Sequence, residues 1–464
     1  MRLSRALIGD LPRDVRGPGY DPQAHGVGVV HLGIGAFHRA HQAVYFDDLM
    51  AHSGGHWRIL GVSLRSAGVR DQLEPQDGLY TLVVREGAEV SQRVIGAVAG
   101  VLVAAEDPAA VISAIAAATT RMVSLTVTEK GYCHDPATGQ LAADHPGIAH
   151  DLADPDNPQT AIGYLAAGCA ARMAASGPGL TIMSCDNLPH NGAVLRHVLL
   201  EFCSKRSGEL ADWVAAQCRF PATMIDRIVP ATTDADRAAL AARIGLADHG
   251  MVKAEPFSQW VIEDDFSGER PRLDAVGVQL VEDVRPFELA KLRMLNGSHS
   301  TLAYLGLERG HTFVHEAMAD PAIAAVIDQL MREAAATLPT VPGLDPATYA
   351  EALKDRFRNS AIEHRLAQIA MDGSQKVPQR LLATIAEMHA AGGTASAAAR
   401  GVAAWIAHFD GPHLDDPLAG RLREVGRSTG PARIAAALGI REVFGELADQ
   451  PWFAELLTSA QALA

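Results

Sequence analysis

The sequence predicts an α/β fold in two parts, a doubly wound, mainly parallel sheet in the N-terminal domain and a largely all-α C-terminal domain. In the first half of the 464-residue chain, short apolar runs typical of strands alternate with alanine-rich stretches typical of helices. From about residue 285, long helical patterns rich in alanine and leucine replace the strand patterns. A chain of this length exceeds one typical core, so we expect two domains, residues 1–284 and 285–464, with a cleft between them.

The N-terminal domain begins with a strand, a tight turn and a helix. Residues 26–31 are rich in β-branched side chains, Gly33 and Gly35 form the turn, and residues 36–50 have helical spacing. Further elements are predicted as strands in residues 57–64, 80–84, 122–127 and 179–183 and as helices in residues 109–118 and 160–175. This alternation favours a parallel sheet whose strands are joined by helical crossovers.

The C-terminal domain is predicted to be helical. Its helices are expected in residues 320–337, 346–357, 379–390, 394–408 and 430–448. Clusters of proline and glycine around residues 338–346 and 411–420 mark loops between these helices.

Composition and charge restrict the class of protein. With 48% hydrophobic and 20% charged residues, the chain is typical of globular proteins, and its net charge of -14 disfavours nucleic acid or an anionic membrane as a partner. The longest apolar run, residues 94–105, is too short to span a bilayer, and the N-terminus has no signal-like apolar core, so we expect a cytoplasmic protein. No CxxC pair or HExxH motif is present, so the sequence does not support a catalytic metal.

The glycine turn contains part of a dinucleotide-binding fingerprint. Gly33 and Gly35 occupy the first two glycine positions, but His38 stands where a third glycine is usual. Two glycines can meet the need for a tight turn and for close approach of backbone N–H groups to a pyrophosphate, although a plain strand-to-helix turn explains this motif equally well. Residues 64–68 lack the acidic residue that usually holds the ribose, and Arg65 is either a ligand of a 2′-phosphate or an ordinary solvated arginine.

Two polar stretches follow predicted strands at the carboxyl edge of the sheet, where ligands bind in folds of this kind. They are residues 126–132 and 184–189. We expect Asn187, in the second stretch, to face the cleft, although a lone asparagine is more often a helix cap or a turn residue.

Residues 291–299 have the composition of a catalytic site, with an amine, a carboxamide and an imidazole in nine positions. On a regular helix Glu288, Lys291, Asn296 and His299 fall within an arc of about 140°, and the opposite side is apolar. Such a helix has almost no face suited to water, so we expect its polar groups to be buried in a place where protons move. Desolvation would disfavour the ammonium form of Lys291 and let it act as a base near neutral pH.

Seven boxes of the sequence, in the same order, resemble those of the polyol-specific long-chain dehydrogenase/reductase family. They are GIGAFHRAH (33–41), TVTEKGYC (126–133), SCDNLPHNG (184–192), MIDRIVP (224–230), EPFSQWVIED (255–264), KLRMLNGSHS (291–300) and DGSQKVPQR (372–380). A small departure is Ile225, where the family usually has valine. The resemblance implies a Rossmann-type N-terminal domain, a helical C-terminal domain and metal-independent hydride transfer between a nicotinamide cofactor and a secondary alcohol.

The resemblance also implies catalytic roles for individual residues. Lys291 corresponds to the catalytic lysine of the family, and Glu288 corresponds to its proton-relay glutamate. Asn187 and Asn296 correspond to the two asparagines around the reacting oxygen.

Cofactor contacts are expected at five positions, namely Gly33, Gly35, Phe37, Arg65 and Glu129. The family's NAD-preferring mannitol enzymes carry acidic residues after the second strand, and residues 64–68 depart from that pattern. NAD is the expected cofactor, and this departure leaves NADP open.

The resemblance places His299 and Asp226 in the substrate site. A sugar-acid substrate would also need a cation for its carboxylate, and the candidates are Arg365, Lys376 and Arg380.

The indications of the substrate conflict. Residues 291–300 and 364–382 are more similar to fructuronate reductases, whereas residues 184–192 are more similar to mannitol dehydrogenases. We predict an oxidoreductase that interconverts D-mannonate and D-fructuronate, with small molecules as its partners, as a monomer or a small homo-oligomer. The alternatives are the conversion of D-mannitol to D-fructose or of another polyol such as arabinitol, a metal-dependent dehydrogenase, and a catalytically silent dinucleotide-binding sensor. A pure binder has no use for a buried amine, which argues against the sensor.

Overall fold

The computed structural model describes residues 1–135 and 138–462 and divides into two compact units, Met1–Val284 and Arg285–Ala464. The first unit has an α/β architecture. Its strands are β1 (Val15–Arg16), β2 (Val27–Leu32), β3 (Arg58–Ser63), β4 (Tyr80–Glu86), β5 (Glu89–Ile95), β6 (Val98–Val103), β7 (Met122–Leu125), β8 (Thr181–Ser184), β9 (Thr223–Asp226), β10 (Val252–Ala254), β11 (Gln259–Glu263) and β12 (Gln279–Val281). Its helices are α1 (Ala36–Ala40), α2 (Gln42–Ser53), α3 (Gly68–Leu73), α4 (Pro108–Ala116), α5 (Pro146–Ala153), α6 (Ala161–Ala174), α7 (Asn191–Arg206), α8 (Gly208–Gln217) and α9 (Asp234–Ile244).

A five-stranded parallel sheet forms the centre of the first unit, with the strand order β6-β3-β2-β7-β8. The predicted doubly wound, parallel sheet is thereby confirmed. The order reverses at β2, because β3 and β6 lie on one side of it and β7 and β8 on the other. Ligands of such sheets bind beyond the carboxyl ends of the strands at the point of reversal. The loops after β2 and β7 are therefore the best placed to hold a ligand.

Two smaller sheets each contain an antiparallel pair of strands. β4 and β5 form a hairpin across Gly87 and Ala88 and join β1 and β10 in the order β1-β5-β4-β10. The third sheet has the order β12-β11-β9. Residues 80–84, expected as a strand of the parallel sheet, thus belong to a separate sheet. The physical reason is that a two-residue turn permits a hairpin and leaves no chain for a crossover helix.

The described part of the second unit is helical. Its helices are α10 (Arg285–Ala290), α11 (Gly297–Glu308), α12 (Val314–Ala319), α13 (Pro321–Ala335), α14 (Pro346–Arg358), α15 (Leu366–Ile369), α16 (Gly373–Val377), α17 (Ala383–Ala390), α18 (Ser396–Ala407), α19 (Ala419–Gly426), α20 (Gly430–Leu438), α21 (Arg441–Phe444) and α22 (Pro451–Gln461). The predicted helix 430–448 is divided into α20, α21 and a 3₁₀ turn, with Gly439 and Gly445 at the breaks. Within the described residues, no helix has the length and apolar character needed to cross a membrane.

Candidate active site

The turn after β2 has one glycine that the fold requires and one that leaves space open. Gly33 has φ +93°, and a Cβ on it would lie 2.1 Å from the Thr126 carbonyl oxygen, so a larger residue does not fit. Gly35 lies just before α1, and a Cβ there would meet only the Gly33 carbonyl oxygen, at 3.8 Å. The open space beside Gly35 lies at the carboxyl edge of the sheet, where a dinucleotide can approach the backbone closely.

His38 stands at the sequence position of the third fingerprint glycine, and its ring stacks on another imidazole. Its fully buried ring lies against the ring of His31 in β2, with centroids 3.4 Å apart and planes inclined by 15°. Helix and strand therefore pack closely through two flat rings instead of through a glycine.

His31 links the glycine turn to the loop after β7 in one defined tautomer. The Thr126 hydroxyl donates to the Gly33 carbonyl oxygen at 2.8 Å, so it can only accept from His31 Nε2, also at 2.8 Å. His31 Nδ1 then accepts from the Ser124 hydroxyl at 2.8 Å. Burial lowers the pKa of His31 to about 3, which keeps this imidazole neutral at neutral pH.

The loop after β7 is joined to the end of β8 by one carboxylate. Asp186 Oδ2 accepts from the Val127 N–H at 2.9 Å and from the Tyr132 O–H at 2.7 Å, and Oδ1 accepts from the Thr128 N–H at 3.0 Å. Thr128 has φ +64° and ψ +162°, a region that costs about 1–3 kcal/mol for a residue other than glycine. Since Asp186 precedes Asn187, these bonds fix the backbone beside the predicted catalytic asparagine.

Most of the predicted site residues of the first unit lie after parallel strands and thus at one edge of the central sheet. Arg65, Glu129 and Asn187 follow β3, β7 and β8 and are exposed. Phe37 is half-buried in α1, after the glycine turn. Asp226 lies apart from that sheet: it is the last residue of β9 in the three-stranded sheet and is 5% exposed.

The predicted catalytic helix of the second unit is interrupted. α10 leads directly into a π-helical segment, Lys291–Asn296, which leads into α11. The expectation of a regular α-helix is wrong here, because i→i+5 hydrogen bonds turn the chain by a smaller angle per residue. The arc calculated for a regular helix therefore does not describe these side chains. Glu288, Lys291 and Asn296 are half-buried, and His299, in the first turn of α11, is 8% exposed.

A second π-helical segment, Pro378–Leu382, packs against the first. A Cβ on Gly297 would lie 3.0 Å from the Arg380 carbonyl oxygen, so the glycine allows the two segments to approach closely. The Arg380 guanidinium donates to Ser300 Oγ at 3.1 Å and to the Asn296 carbonyl oxygen at 3.5 Å. Arg380 is thus a predicted cation that the fold brings to the first π-helical segment.

His299 is buried among aromatic rings, with positive charge within electrostatic range. Its ring centroid is 4.8 Å from that of Phe357 and 5.2 Å from that of His364. Burial first, and then the charges of His364, Arg356 and Arg380, hold the pKa of His299 well below its usual value of 6.5. At neutral pH His299 is therefore a neutral imidazole.

The other two predicted cations have different contacts. The exposed Arg365 places its guanidinium over the Phe313 ring, 5.3 Å from the centroid. The Lys376 ammonium donates to the Met371 carbonyl oxygen at 2.6 Å, and burial followed by the charge of Arg380 lowers its pKa. Neither contact is with the helix that carries the predicted catalytic residues.

Two neighbours of His299 were missed by sequence reasoning. They are His364 and Arg356, which come from the loop before α15 and from α14. The only signal for His364 was its place at the start of the 364–382 stretch, and Arg356 had none, because it lies in a stretch typical of an amphipathic surface helix.

The thiols and the side chains that could ligate a metal do not form a metal-binding cluster within the described residues. All five cysteines are buried and free, and burial raises the pKa of Cys133 to about 11 and that of Cys203 to about 12, so these thiols stay protonated. In the part of the chain that the structure describes, no group of three or more His, Cys, Asp or Glu side chains could hold a metal ion.

A parallel sheet with a glycine turn at its point of reversal defines a Rossmann-type unit of the dinucleotide-binding class. The family model of the mannitol dehydrogenase Rossmann domain matches residues 27–275, and that of the mannitol dehydrogenase C-terminal domain matches residues 283–463. The chain belongs to the mannitol dehydrogenase family and is an oxidoreductase. The family resemblance predicted from the seven boxes is confirmed.

Known proteins resemble the chain over nearly its whole length. An uncharacterized oxidoreductase of Escherichia coli (strain K12), YeiQ, is 43% identical, covering 97% of this chain and 94% of the relative. The D-mannonate oxidoreductase of the same organism is 40% identical, covering 99% and 96%. The solved Pseudomonas fluorescens mannitol 2-dehydrogenase, in a ternary complex with NAD and D-mannitol, is 40% identical with a TM-score of 0.83, covering 100% of this chain and 96% of that one.

Proposed function

We propose that this protein is a metal-independent, NAD-dependent oxidoreductase that interconverts D-mannonate and D-fructuronate. The observation that carries the choice of a sugar acid is the Arg380 guanidinium at the helix that carries His299. Arg380 donates to Ser300, and both Arg380 and Arg356 lower the pKa of His299. A sugar acid differs from a polyol by a terminal carboxylate, and a guanidinium can bind a carboxylate through two parallel hydrogen bonds. The similarity to D-mannonate oxidoreductase supports this substrate.

NAD is proposed as the cofactor on the geometry of the glycine turn. Gly33 makes the tight turn, and Gly35 leaves the backbone open at the point of strand reversal, which suits a dinucleotide pyrophosphate. The related mannitol 2-dehydrogenase structure contains NAD. When bound, the nicotinamide supplies the acceptor or donor of hydride. The exposed Arg65 leaves NADP as the alternative to be measured.

The side chains of the chain supply proton transfer and polarisation. In the oxidation direction, Lys291 takes the hydroxyl proton of the substrate, and Glu288 passes it toward solvent. Asn187 and Asn296 donate hydrogen bonds to the developing alkoxide, a contribution of about 3 kcal/mol per donor in other enzymes. In the reduction direction, Lys291 returns the proton to the ketone oxygen.

Substrate hydroxyl groups are assigned to His299 and Asp226. Neutral His299 can accept one hydrogen bond and donate another. The buried Asp226 carboxylate accepts them. A carboxylate at the end of the substrate is assigned to Arg380.

An absorbance assay at the reduced-nicotinamide band tests the function directly. NADH and NADPH are each combined with fructuronate, tagaturonate and fructose, and the oxidised cofactors with the corresponding reduced substrates. We expect fructuronate with NADH to give the highest kcat/KM, and we expect a chelator to leave that rate unchanged. A higher kcat/KM for fructose, or loss of the rate with the chelator, would contradict the proposal.

The second candidate is a mannitol 2-dehydrogenase. It is favoured by the resemblance of residues 184–192 to the mannitol enzymes and by the 40% identity with the mannitol 2-dehydrogenase structure that contains D-mannitol. The same assay distinguishes the two candidates, because mannitol and fructose have no carboxylate that Arg380 could bind.

A further inference from the structure

The backbone of Thr128 is strained, and hydrogen bonds with another residue hold it in this conformation. Its φ of +64° and ψ of +162° lie in a region that is almost exclusive to glycine. For a β-branched residue such a conformation is a genuine outlier. The Thr128 side chain is exposed, so burial of its methyl group does not explain the conformation. Groups outside this residue must hold it in place.

The Asp186 carboxylate is the group that does so. Its two oxygens accept from successive backbone N–H groups, those of Val127 and Thr128, at 2.9 and 3.0 Å. Successive N–H groups that converge in this way form a concave site for an anion, and here a side chain of the chain itself is the anion. The fully buried Tyr132 donates to the same carboxylate at 2.7 Å, which fixes its orientation.

The strained loop connects three parallel strands at their carboxyl ends. Before the strained residue, the Thr126 hydroxyl donates to the Gly33 carbonyl oxygen of the turn after β2. After it, the Tyr132 hydroxyl is hydrogen-bonded to Ser184, the last residue of β8. The loop therefore lies between the glycine turn and the segment that carries Asn187.

We propose that Asp186 is a positioning residue whose carboxylate holds Thr128 in its strained conformation and thereby sets the loop after β7 against the glycine turn, where the dinucleotide binds. The inference rests on the proposed function, because that function has the dinucleotide bind at this edge of the sheet. Without the carboxylate, Thr128 relaxes to an ordinary conformation and the loop moves away from the turn.

The test uses the whole 464-residue chain, titrated with NADH in the absence of substrate and followed by fluorescence. Asp186→Asn keeps the shape of the side chain but replaces one acceptor with an N–H donor that faces a backbone N–H group. We expect it to raise the Kd for NADH about tenfold. In the double variant, which adds Thr128→Gly to Asp186→Asn, the Kd should return to within about threefold of wild type, because glycine adopts this conformation without strain.

Rescue by glycine distinguishes positioning from a purely structural role. If Asp186 only stabilises the fold, the double variant binds NADH as weakly as Asp186→Asn alone, and the inference is overturned. Wild-type affinity in Asp186→Asn overturns it as well. The matched control is Asp212→Asn on the exposed face of α8, which should leave the Kd unchanged.

Two further measurements keep the test decisive. Should Asp186→Asn fail to fold, Tyr132→Phe removes the bonds of this hydroxyl to the carboxylate and to Ser184 and leaves both backbone bonds of the carboxylate. We expect a Kd about twofold to threefold higher. An unchanged Kd in that variant would count against the inference. A wild-type protein that binds neither NADH nor NADPH would overturn the proposed function, whereas tight binding by wild type and Asp186→Asn alike overturns the positioning role alone.

Discussion

The two units of the molecule build their functional residues in different ways. In the first unit, main-chain positions at strand ends define the proposed cofactor site, as at Gly33, where a Cβ would lie 2.1 Å from a carbonyl oxygen. In the second unit, side chains on two π-helical segments define the proposed catalytic site, among them Lys291 and Arg380. The site proposed in the first unit therefore depends on where the backbone can pass. The site proposed in the second unit depends on which side chains an irregular helix brings together. Substitutions in the two units should therefore separate cofactor binding from chemistry.

The largest expected effect is that of Lys291→Ala in the second unit. Removing the proposed base should lower kcat by about 100-fold to 10,000-fold, because general acid–base catalysis contributes that much. The affinity for NADH, measured by fluorescence titration, should stay within about twofold of wild type, since the glycine turn proposed to bind the dinucleotide belongs to the first unit. Turnover at the wild-type rate would refute the role of Lys291.

Arg380→Met tests whether the second unit recognises a carboxylate. A hydrogen bond to a charged group is worth about 1.5–3 kcal/mol, so KM for fructuronate should rise about 10-fold to 150-fold. KM for fructose should change far less, because fructose has no carboxylate. Lys376→Met is the matched control, since its ammonium donates to the Met371 carbonyl oxygen. Equal changes for both substrates would show that Arg380 has only a structural role.

The two glycines of the first unit should respond differently to the same added methyl group. Gly35→Ala introduces a Cβ 3.8 Å from its nearest neighbour, so the melting temperature should hardly change, while the Kd for NADH rises about tenfold or more. Gly33→Ala should lower the melting temperature strongly, because it combines φ +93° with a severe backbone clash. Thermal melts without cofactor and NADH titrations check both expectations. Unchanged NADH affinity in Gly35→Ala would be incompatible with a dinucleotide at this turn.

The smallest expected effect concerns the buried imidazole of the first unit. The pKa of His31 is about 3 in the folded chain against 6.5 ordinarily, so below pH 6.5 the unfolded chain binds a proton that the folded chain does not. The resulting stability is fully present above pH 6.5 and is lost as the pH falls toward 3. Near pH 5, His31→Asn should reduce the slope of the unfolding free energy against pH by about 1.4 kcal/mol per pH unit. Urea unfolding at pH 5 to 7 measures this slope, and an equal slope in both proteins would contradict the neutral state of His31.

Much of the fold could be predicted because its signals are local. The parallel strands are nearly continuous apolar runs, as expected for strands covered on both faces, and β7 is buried throughout. Gly33 and Gly35 were recognisable from their spacing after β2. The hairpin of β4 and β5 was not recognised, because its strands look like any other apolar run and only the two-residue turn sets their direction.

Less of the candidate site could be predicted, because it depends on contacts between distant residues. Three cations were equivalent by composition, and the packing of one π-helical segment on another distinguishes Arg380 from Arg365 and Lys376. The bonds between Asp186 and the loop after β7 join residues 58 and 59 positions apart. No periodicity in the sequence reports such a pair.

By itself, the sequence determined the α/β character of the first half, the helical character of the second and the family, since alternation of patterns and ordered boxes are properties of short stretches. Only the tertiary structure decided that the helix carrying Lys291 and Asn296 is a π-helix, that His38 stacks on His31, and that a threonine is held in a glycine conformation. The physical reason is that each of these states is unfavourable or undefined for an isolated segment. It is stabilised by hydrogen bonds and packing from residues far away in the chain.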